Sequence, residues 1–242
     1  MKEANDQNDA LLATKYGMAL RFSIEDLRTI KSRTSNGVRG IKLKNGDEVI
    51  SLSIIHHIRE PIDIREEYLK IPAKHRIEMQ NIIESNDDAE ADKLIKQYSS
   101  NKSFRCLMDI DQIIRMCRNE EFILTVKSNG LAKRTSSYEY RITNKGGQGV
   151  KNILLGQGVE VISSFIVKNS DEIVITSSAG KLVRCNVCDI SLTSRATKGV
   201  RIINIEEGEK VVSVTRIQGS LLEGKESIDE KETDKNLTLD NI

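Results

Sequence analysis

Tryptophan is absent from this 242-residue chain, aromatics amount to 4%, and only two prolines occur, Pro61 and Pro72. With 38% hydrophobic residues the chain is long enough for a substantial core, but that core must be built on Val, Ile and Leu. Four cysteines without a dense framework do not make a disulfide scaffold and fit a reducing compartment. No stretch approaches the roughly 18 apolar residues of a spanning helix, and the polar residues 1–10 lack an apolar h-region. Neither secretion nor membrane insertion is expected, and the expected location is cytoplasmic. A phosphate-cradling G-x-x-x-x-G-K-[ST] loop is also missing, and no paired carboxylates, serine triad or activated cysteine stands out.

What the chain does contain is one glycine and basic-residue frame, three times over. It runs Gly17-x-x-x-Arg21, Arg33-x-x-x-Gly37-Val38 and Gly46-x-x-Val49, then Gly130-x-x-x-Arg134, Lys145-x-x-x-Gly149-Val150 and Gly158-x-x-Val161. The third copy is Gly180-x-x-x-Arg184, Arg195-x-x-x-Gly199-Val200 and Gly208-x-x-Val211. Internal repetition at this period means a propeller, solenoid or array. Gly149 and Gly199 are 50 residues apart but Gly37 and Gly149 are 112 apart, so an insertion of roughly sixty residues separates the first two units.

Within each unit, short Val-, Ile- and Leu-rich runs alternate with Gly, Asn or Asp. Strands are expected at Ala10–Tyr16, Met18–Phe22, Gly37–Leu43 and Glu48–Ile55, with counterparts at Phe122–Lys127, Leu131–Thr135, Gly149–Leu154 and Val159–Val167. Four strands in about 45 residues is the size of a propeller blade. The fold class is therefore all-β: a partial pinwheel or propeller-like repeat of three four-stranded blades with a mainly helical insertion. The expected boundaries are a disordered segment or linker at 1–9, blade one at 10–58, the insertion at 59–118, blade two at 119–168, blade three at 169–217 and a disordered acidic tail at 218–242. In the insertion, helical spacing marks Ala73–Ile83, Asp88–Tyr98 and Asp109–Cys117, with Asn86 and Asp87 as N-caps.

The net charge of +1 conceals a division. Residues 10–58 carry 8 Lys/Arg against 4 Asp/Glu, residues 119–168 carry 7 against 4, and residues 171–217 carry 7 against 6. The insertion has 11 against 12 and the stretch from 218 onward 3 against 7. Basic repeats beside an acidic tail suggest a polyanion partner; a solvated surface that sums positive is the alternative.

Particular residues carry a resemblance. Leu11-Leu-Ala-Thr-Lys-Tyr-Gly17, Arg21-Phe22-Ser23, Ser32 through Ile41 and Asp47 through Ser51 resemble the C-terminal domain of the DNA gyrase A subunit. So do Gly130-x-x-Lys133-Arg134-Thr135 with Glu139-Tyr140, and Gly180-x-Leu182-Val183-Arg184 with Ser194 through Val200. The resemblance covers 8–58 and 119–217, and the order of the copies resembles the last three of that family's six blades. It implies a β-pinwheel whose basic rim wraps duplex DNA, with the rest of the gyrase A subunit and the gyrase B subunit as partners and a nucleoid location. It implies no cofactor in this chain, ATP and Mg belonging to other domains or subunits. The family's cleavage tyrosine follows an Arg, and none of Tyr16, Tyr68, Tyr98, Tyr138 and Tyr140 does, so the chain alone is not expected to be an active topoisomerase. Two alternatives stay open: the related subunit of topoisomerase IV, and a non-catalytic β-repeat interaction module or decayed gene remnant.

Candidate DNA contacts follow from the frame. Arg33, Lys145 and Arg195 stand four residues before each Gly-Val, and Lys31, Arg39, Lys133, Lys198 and Arg201 lie near the same loops. The loop Asn144-Lys145-Gly146-Gly147-Gln148-Gly149 resembles the family's basic Gly-Gly-basic-Gly box, with Asn and Gln where the full box has basic residues. Its glycines either admit backbone N–H groups to phosphates or only serve a tight loop. Arg21, Arg134 and Arg184 fall in expected strands, where packing the stem and pairing an acidic neighbour competes with a DNA role. Without aromatics at stacking spacing, duplex backbone is favoured over single strands. Cys185-x-x-Cys188 has metal-knuckle spacing but only Cys106 and Cys117 as further cysteines, and it reads as structural. His56-His57 face opposite sides of a strand and make no shared metal site. Three blades leave the first unit with an unpaired edge, so self-association or instability is expected of the isolated chain.

Overall fold

Each repeat opens on a hairpin whose turn glycine has a positive φ that an L side chain resists. In the computed structural model, which describes residues 4–29, 34, 36–84, 93 and 108–219, Gly17, Gly130 and Gly180 lie at φ 75°, 77° and 82°. They join β1 (Asn8–Thr14) to β2 (Met18–Ser23), β4 (Phe122–Lys127) to β5 (Leu131–Ser136), and β8 (Glu172–Ser177) to β9 (Leu182–Asn186). The unit's last strand returns on the other side of the hairpin's first: β3 (Val49–His56) on β1, β7 (Val161–Val167) on β4 and β11 (Val211–Ile217) on β8, all antiparallel. The register slips at Ala13/Thr14, Val126/Lys127 and Val211/Ser213, the same point of each unit, so each return strand bends as it meets the turn.

The fourth strand of a sheet comes from the next repeat. β6 (Val150–Lys151) pairs with β2 at Met18 and Ala19, and β10 (Val200–Arg201) pairs with β5 at Leu131 and Ala132. The orders are β3-β1-β2-β6, β10-β5-β4-β7 and β11-β8-β9, and the three sheets do not close. Among the described residues, β9 therefore keeps an unpaired outer edge, on which Leu182 is 68% exposed. The vacant acceptor edge lies on the third unit rather than the first. The expected first-unit strand at Gly37–Leu43 is not a strand, its frame equivalents β6 and β10 forming only against a neighbouring hairpin.

Exchange makes the cores continuous across units. Phe122, Leu124, Val126 and Ala132 of the second unit pack with Ile173, Ile175, Val187 and Val211 of the third. Leu11, Ala19 and Ile55 of the first pack with Ile123 and Tyr140 of the second. Each such fully buried aliphatic side chain contributes about 1.5–3 kcal/mol.

The insertion contributes α1 (Ile62–Lys70), α2 (Ala73–Glu84) and α3 (Ile110–Asn119). The second matches the expected Ala73–Ile83. The third begins on a capping box in which Asp109 accepts from the Gln112 amide and the Gln112 side chain accepts from the Asp109 amide. Helix α1, following Pro61 and carrying Asp63 in its first turn, was not expected from spacing. The expected helix 88–98 with its caps Asn86 and Asp87, Cys106, and the tail from 220 lie outside the described residues, Lys93 excepted. Ile58, Tyr68, Ile71, Met79, Ile113, Met116 and Tyr138 form the insertion's core. Tyr138 belongs to the second unit, meets Tyr68 edge-on at 5.5 Å and donates to the Met116 carbonyl at 2.7 Å, which fixes the helices onto that blade.

Candidate nucleic-acid interface

Backbone hydrogen bonds bring the basic loop of one unit beside the segment that follows the Gly-Val dipeptide of the unit before it. At the first junction the Lys42 amide donates to the Gly147 carbonyl at 2.8 Å and the Gly146 amide to the Gly40 carbonyl at 2.6 Å. At the second the Leu154 amide donates to the Thr197 carbonyl at 3.0 Å and Arg195 Nη1 to the Lys151 carbonyl at 2.9 Å. Arg39, Lys42 and Lys145 thus gather at one junction and Lys151, Arg195 and Lys198 at the next. Arg201, two residues after Gly199, repeats the position of Arg39 and Lys151.

Arg39, Lys151, Lys198 and Arg201 are exposed, and none has a carboxylate within 4.0 Å among the described residues. Lys145 is half-buried, its ammonium donating to the Asp26 carbonyl at 2.8 Å. Arg195 is half-buried over the Tyr140 ring, 5.9 Å from its centroid, with Glu139 4.0 Å away. Lys31 and Arg33 lie outside the described residues. The sequence frame missed Lys42 and Lys151. The signal for Lys151 was present, since a basic residue follows each Gly-Val dipeptide.

Lys133 leaves this surface. It is 0% exposed, and its ammonium donates to the carbonyls of Ser194 at 2.7 Å and Arg195 at 2.6 Å. Burial pushes its pKa down to about 7, with Glu139 opposing and Arg195 and Lys127 adding to the fall. A strand residue alternating inward is hard to separate by spacing from its outward neighbour.

The box-like loop divides between two roles. A Cβ on Gly149, at φ 74°, would lie 2.4 Å from the Ala19 carbonyl oxygen, so this glycine admits the exchanged strand to β2. The Gly146 amide is spent on Gly40, whereas Asn144, Gly147 and Gln148 are exposed.

The strand arginines differ by unit. Arg21 is buried, its Nε donating to Asp9 at 2.7 Å, Nη1 to the Ser137 carbonyl at 2.9 Å and Nη2 to the His56 carbonyl at 2.6 Å. Burial lowers its pKa, and Asp9 offsets part of the fall. Arg134 is likewise buried, donating to the Ile190 and Cys188 carbonyls and to Asn169 over the Phe122 ring. Arg184 is exposed and pairs with Glu172. Asp9 also accepts from, or ion-pairs with, His57 Nδ1 at 2.7 Å, so this histidine anchors the first hairpin. Cys185 and Cys188 carry free thiols, and no group of three or more potential metal ligands occurs among the described residues. No helix among them is long and apolar enough to cross a membrane.

Comparison with known proteins agrees with this architecture. The family model described as the DNA gyrase C-terminal domain, a β-propeller, matches residues 8–56, 121–168 and 171–218, the three repeats without the insertion. The DNA gyrase A subunit of Rickettsia felis is 39% identical over 218 residues, 90% of this chain, and that of Granulibacter bethesdensis is 34% identical over 211 residues, 86% of this chain. In both cases the chain spans 22% of the relative's length. Among solved structures, the C-terminal domain of DNA topoisomerase IV superimposes with a TM-score of 0.58 at 18% identity, covering 89% of this chain and 48% of the other, a likeness of fold. Three matched repeats, strand exchange between them and these relatives together show that the chain belongs to the DNA gyrase C-terminal β-propeller domain family.

Proposed function

We propose that this chain is the C-terminal DNA-binding and wrapping module of a DNA gyrase A subunit, working on duplex DNA by charge and shape without reading bases. The observation that carries this reading is the recurrence of Arg39, Lys151 and Arg201: one exposed cation per repeat after the Gly-Val dipeptide, with no carboxylate within 4.0 Å among the described residues, the last two on the strands that cross from unit to unit. Lys145, Arg195 and Lys198 stand on the loops beside it. Cations repeated along a line of turning blades suit a bent duplex that touches each blade in passing, and phosphate contacts position DNA without specifying sequence. In this reading negative supercoiling is a property of the holoenzyme, with cleavage in the rest of the gyrase A subunit, ATP and Mg2+ on other domains or on the gyrase B subunit, and the assembly on the nucleoid in the cytoplasm.

The test is duplex affinity across a salt series. Log K is expected to fall linearly with log[salt] at a slope of about 0.9 per phosphate contact. K151Q and R201Q should each lower that slope by about 0.9 without changing sequence preference. A flat, weak response to salt would overturn the proposal.

A further inference from the structure

Where the insertion meets the second blade, the fold leaves a partly buried guanidinium with no hydrogen bond or ion pair among the described residues. Arg65, on α1, is 9% exposed, yet its side chain makes no hydrogen bond and no ion pair with any described residue. Only its Nε is sealed from solvent; the terminal nitrogens keep solvent access. Asp9, Glu60 and Glu66 act on it from beyond ion-pair distance, Asp9 being already committed to Arg21 and His57. Burial lowers the Arg65 pKa all the same. A guanidinium held in such a site without a fixed partner can donate to an accepting group, and something that supplies one would complete it.

The surroundings indicate what that something is. Arg65 lines a cleft of about 390 Å³ with Arg141 and Arg195, walled by Ile62, Leu69 and Tyr138. Arg141 is exposed, and its guanidinium contacts no carboxylate among the described residues. The Arg195 Nε is buried and lacks a hydrogen bond. Arg76 lines the cleft too, but is satisfied by Glu120 and the Ile71 carbonyl. Of the acidic lining residues, Glu139 accepts from the Arg195 amide at 2.8 Å and stands 4.0 Å from the Arg195 Nε, and Glu66 places no oxygen within 4.0 Å of the three arginines. Three guanidiniums thus line one cleft, those of Arg65 and Arg141 with donors to spare, a lining that matches the multiply accepting oxygens of a phosphate group.

We propose that Arg65, Arg141 and Arg195 form an oxyanion cleft, built jointly by the insertion and the second blade, that seats a phosphate group. That chemistry is shared by a backbone phosphodiester and by a free phosphate or polyphosphate. The duplex is the favoured source because Arg195 belongs also to the second interblade junction, and this arm of the proposal rests on the DNA-wrapping reading above. The insertion then extends the DNA track instead of merely decorating it.

The full chain is tested in two arms. Thermal melts are compared in inorganic phosphate or pyrophosphate and in NaCl of matched ionic strength, and duplex affinity is measured across salt, for wild type, R65M and R141Q. Phosphate is expected to raise the wild-type melting temperature and not that of R65M. Without anion, R65M should melt no lower than wild type, since it removes an unpaired charge. R141Q, at an exposed position that leaves folding intact, should lose most of the phosphate response and lower the duplex salt slope by about 0.9. Protection by phosphate with an unchanged slope in R141Q and R65M identifies a free anion as the ligand. Protection with no salt-dependent duplex binding by wild type leaves the cleft standing while the DNA reading fails. Absence of protection together with unchanged slopes overturns the cleft, as does an R65M variant that melts lower yet responds to phosphate like wild type.

Discussion

Replacing Arg21 by Met is expected to cost far more stability than the same change at its two repeat equivalents, and the reason lies in what each side chain ties together. Arg21 is 1% exposed, and its three hydrogen bonds join β1, the end of β3 and the turn after β5 at 2.7, 2.6 and 2.9 Å. Methionine preserves much of the volume but strands the Asp9 carboxylate, itself 0% exposed, with His57 as its remaining partner, and takes the donor from the His56 carbonyl, while the Ser137 carbonyl keeps the Tyr140 amide. Removing one member of a buried ion pair costs about 3–5 kcal/mol. R134M strands neutral acceptors, Ile190 and Cys188 among them, and no carboxylate, so about 1–3 kcal/mol is expected. R184M breaks an exposed pair with Glu172 and should cost about 0–1 kcal/mol. Because the chain has no tryptophan, urea unfolding is best followed by circular dichroism of the sheets. In the double variant R21M/D9N the stranded charge is gone, and part of the loss should return. The reasoning is refuted if R184M costs as much as R21M, or if R21M falls within about 1 kcal/mol of wild type.

Strand exchange predicts an asymmetry among equivalent glycines. A Cβ at Gly199 would meet the Ala132 carbonyl oxygen at 2.6 Å and one at Gly37 nothing within 4 Å, so G199A should cost about 1–3 kcal/mol more than G37A in urea unfolding. Lys133 predicts a pH dependence. Its folded pKa of about 7 lies below the ordinary 10.5, so the unfolded chain binds the extra proton between those values. Wild-type stability relative to K133M should therefore rise from pH 7 toward pH 10, by up to about 1.4 kcal/mol per unit, and be lost as pH falls through 7; a difference independent of pH contradicts the neutral buried amine. The open edge of β9 predicts concentration-dependent association of this chain in sedimentation, and L182K, which places a charge on that edge, should reduce it. A wild-type chain that stays monomeric across concentration argues against an available edge.

How much of this was legible in the sequence is decided by range. The three hairpins were, because a glycine that must take positive φ declares itself locally, as Gly17, Gly130 and Gly180 do. So were α2 and the capped α3, whose signals lie within one turn of the helix. The recurrence of the frame located the insertion and marked the basic loops. Beyond that reach, spacing could not tell Lys133, turned inward onto two carbonyls, from exposed Lys151. Nor could it show that Arg21 and Arg134 are internal ties while Arg184 is a surface pair. The first two lie where neighbouring units and their loops cover them, whereas β9 has no strand along its outer edge among the described residues. The sequence by itself thus determined the repeat, its turns and the sign of its charge, since each depends on residues close together in the chain. Folding settled the rest: which repeat lends its strand to which sheet, which cations face water, and that Arg65 lines one cleft with Arg141 and Arg195. Those outcomes depend on burial between segments up to about 130 residues apart, a distance over which local propensity has no hold.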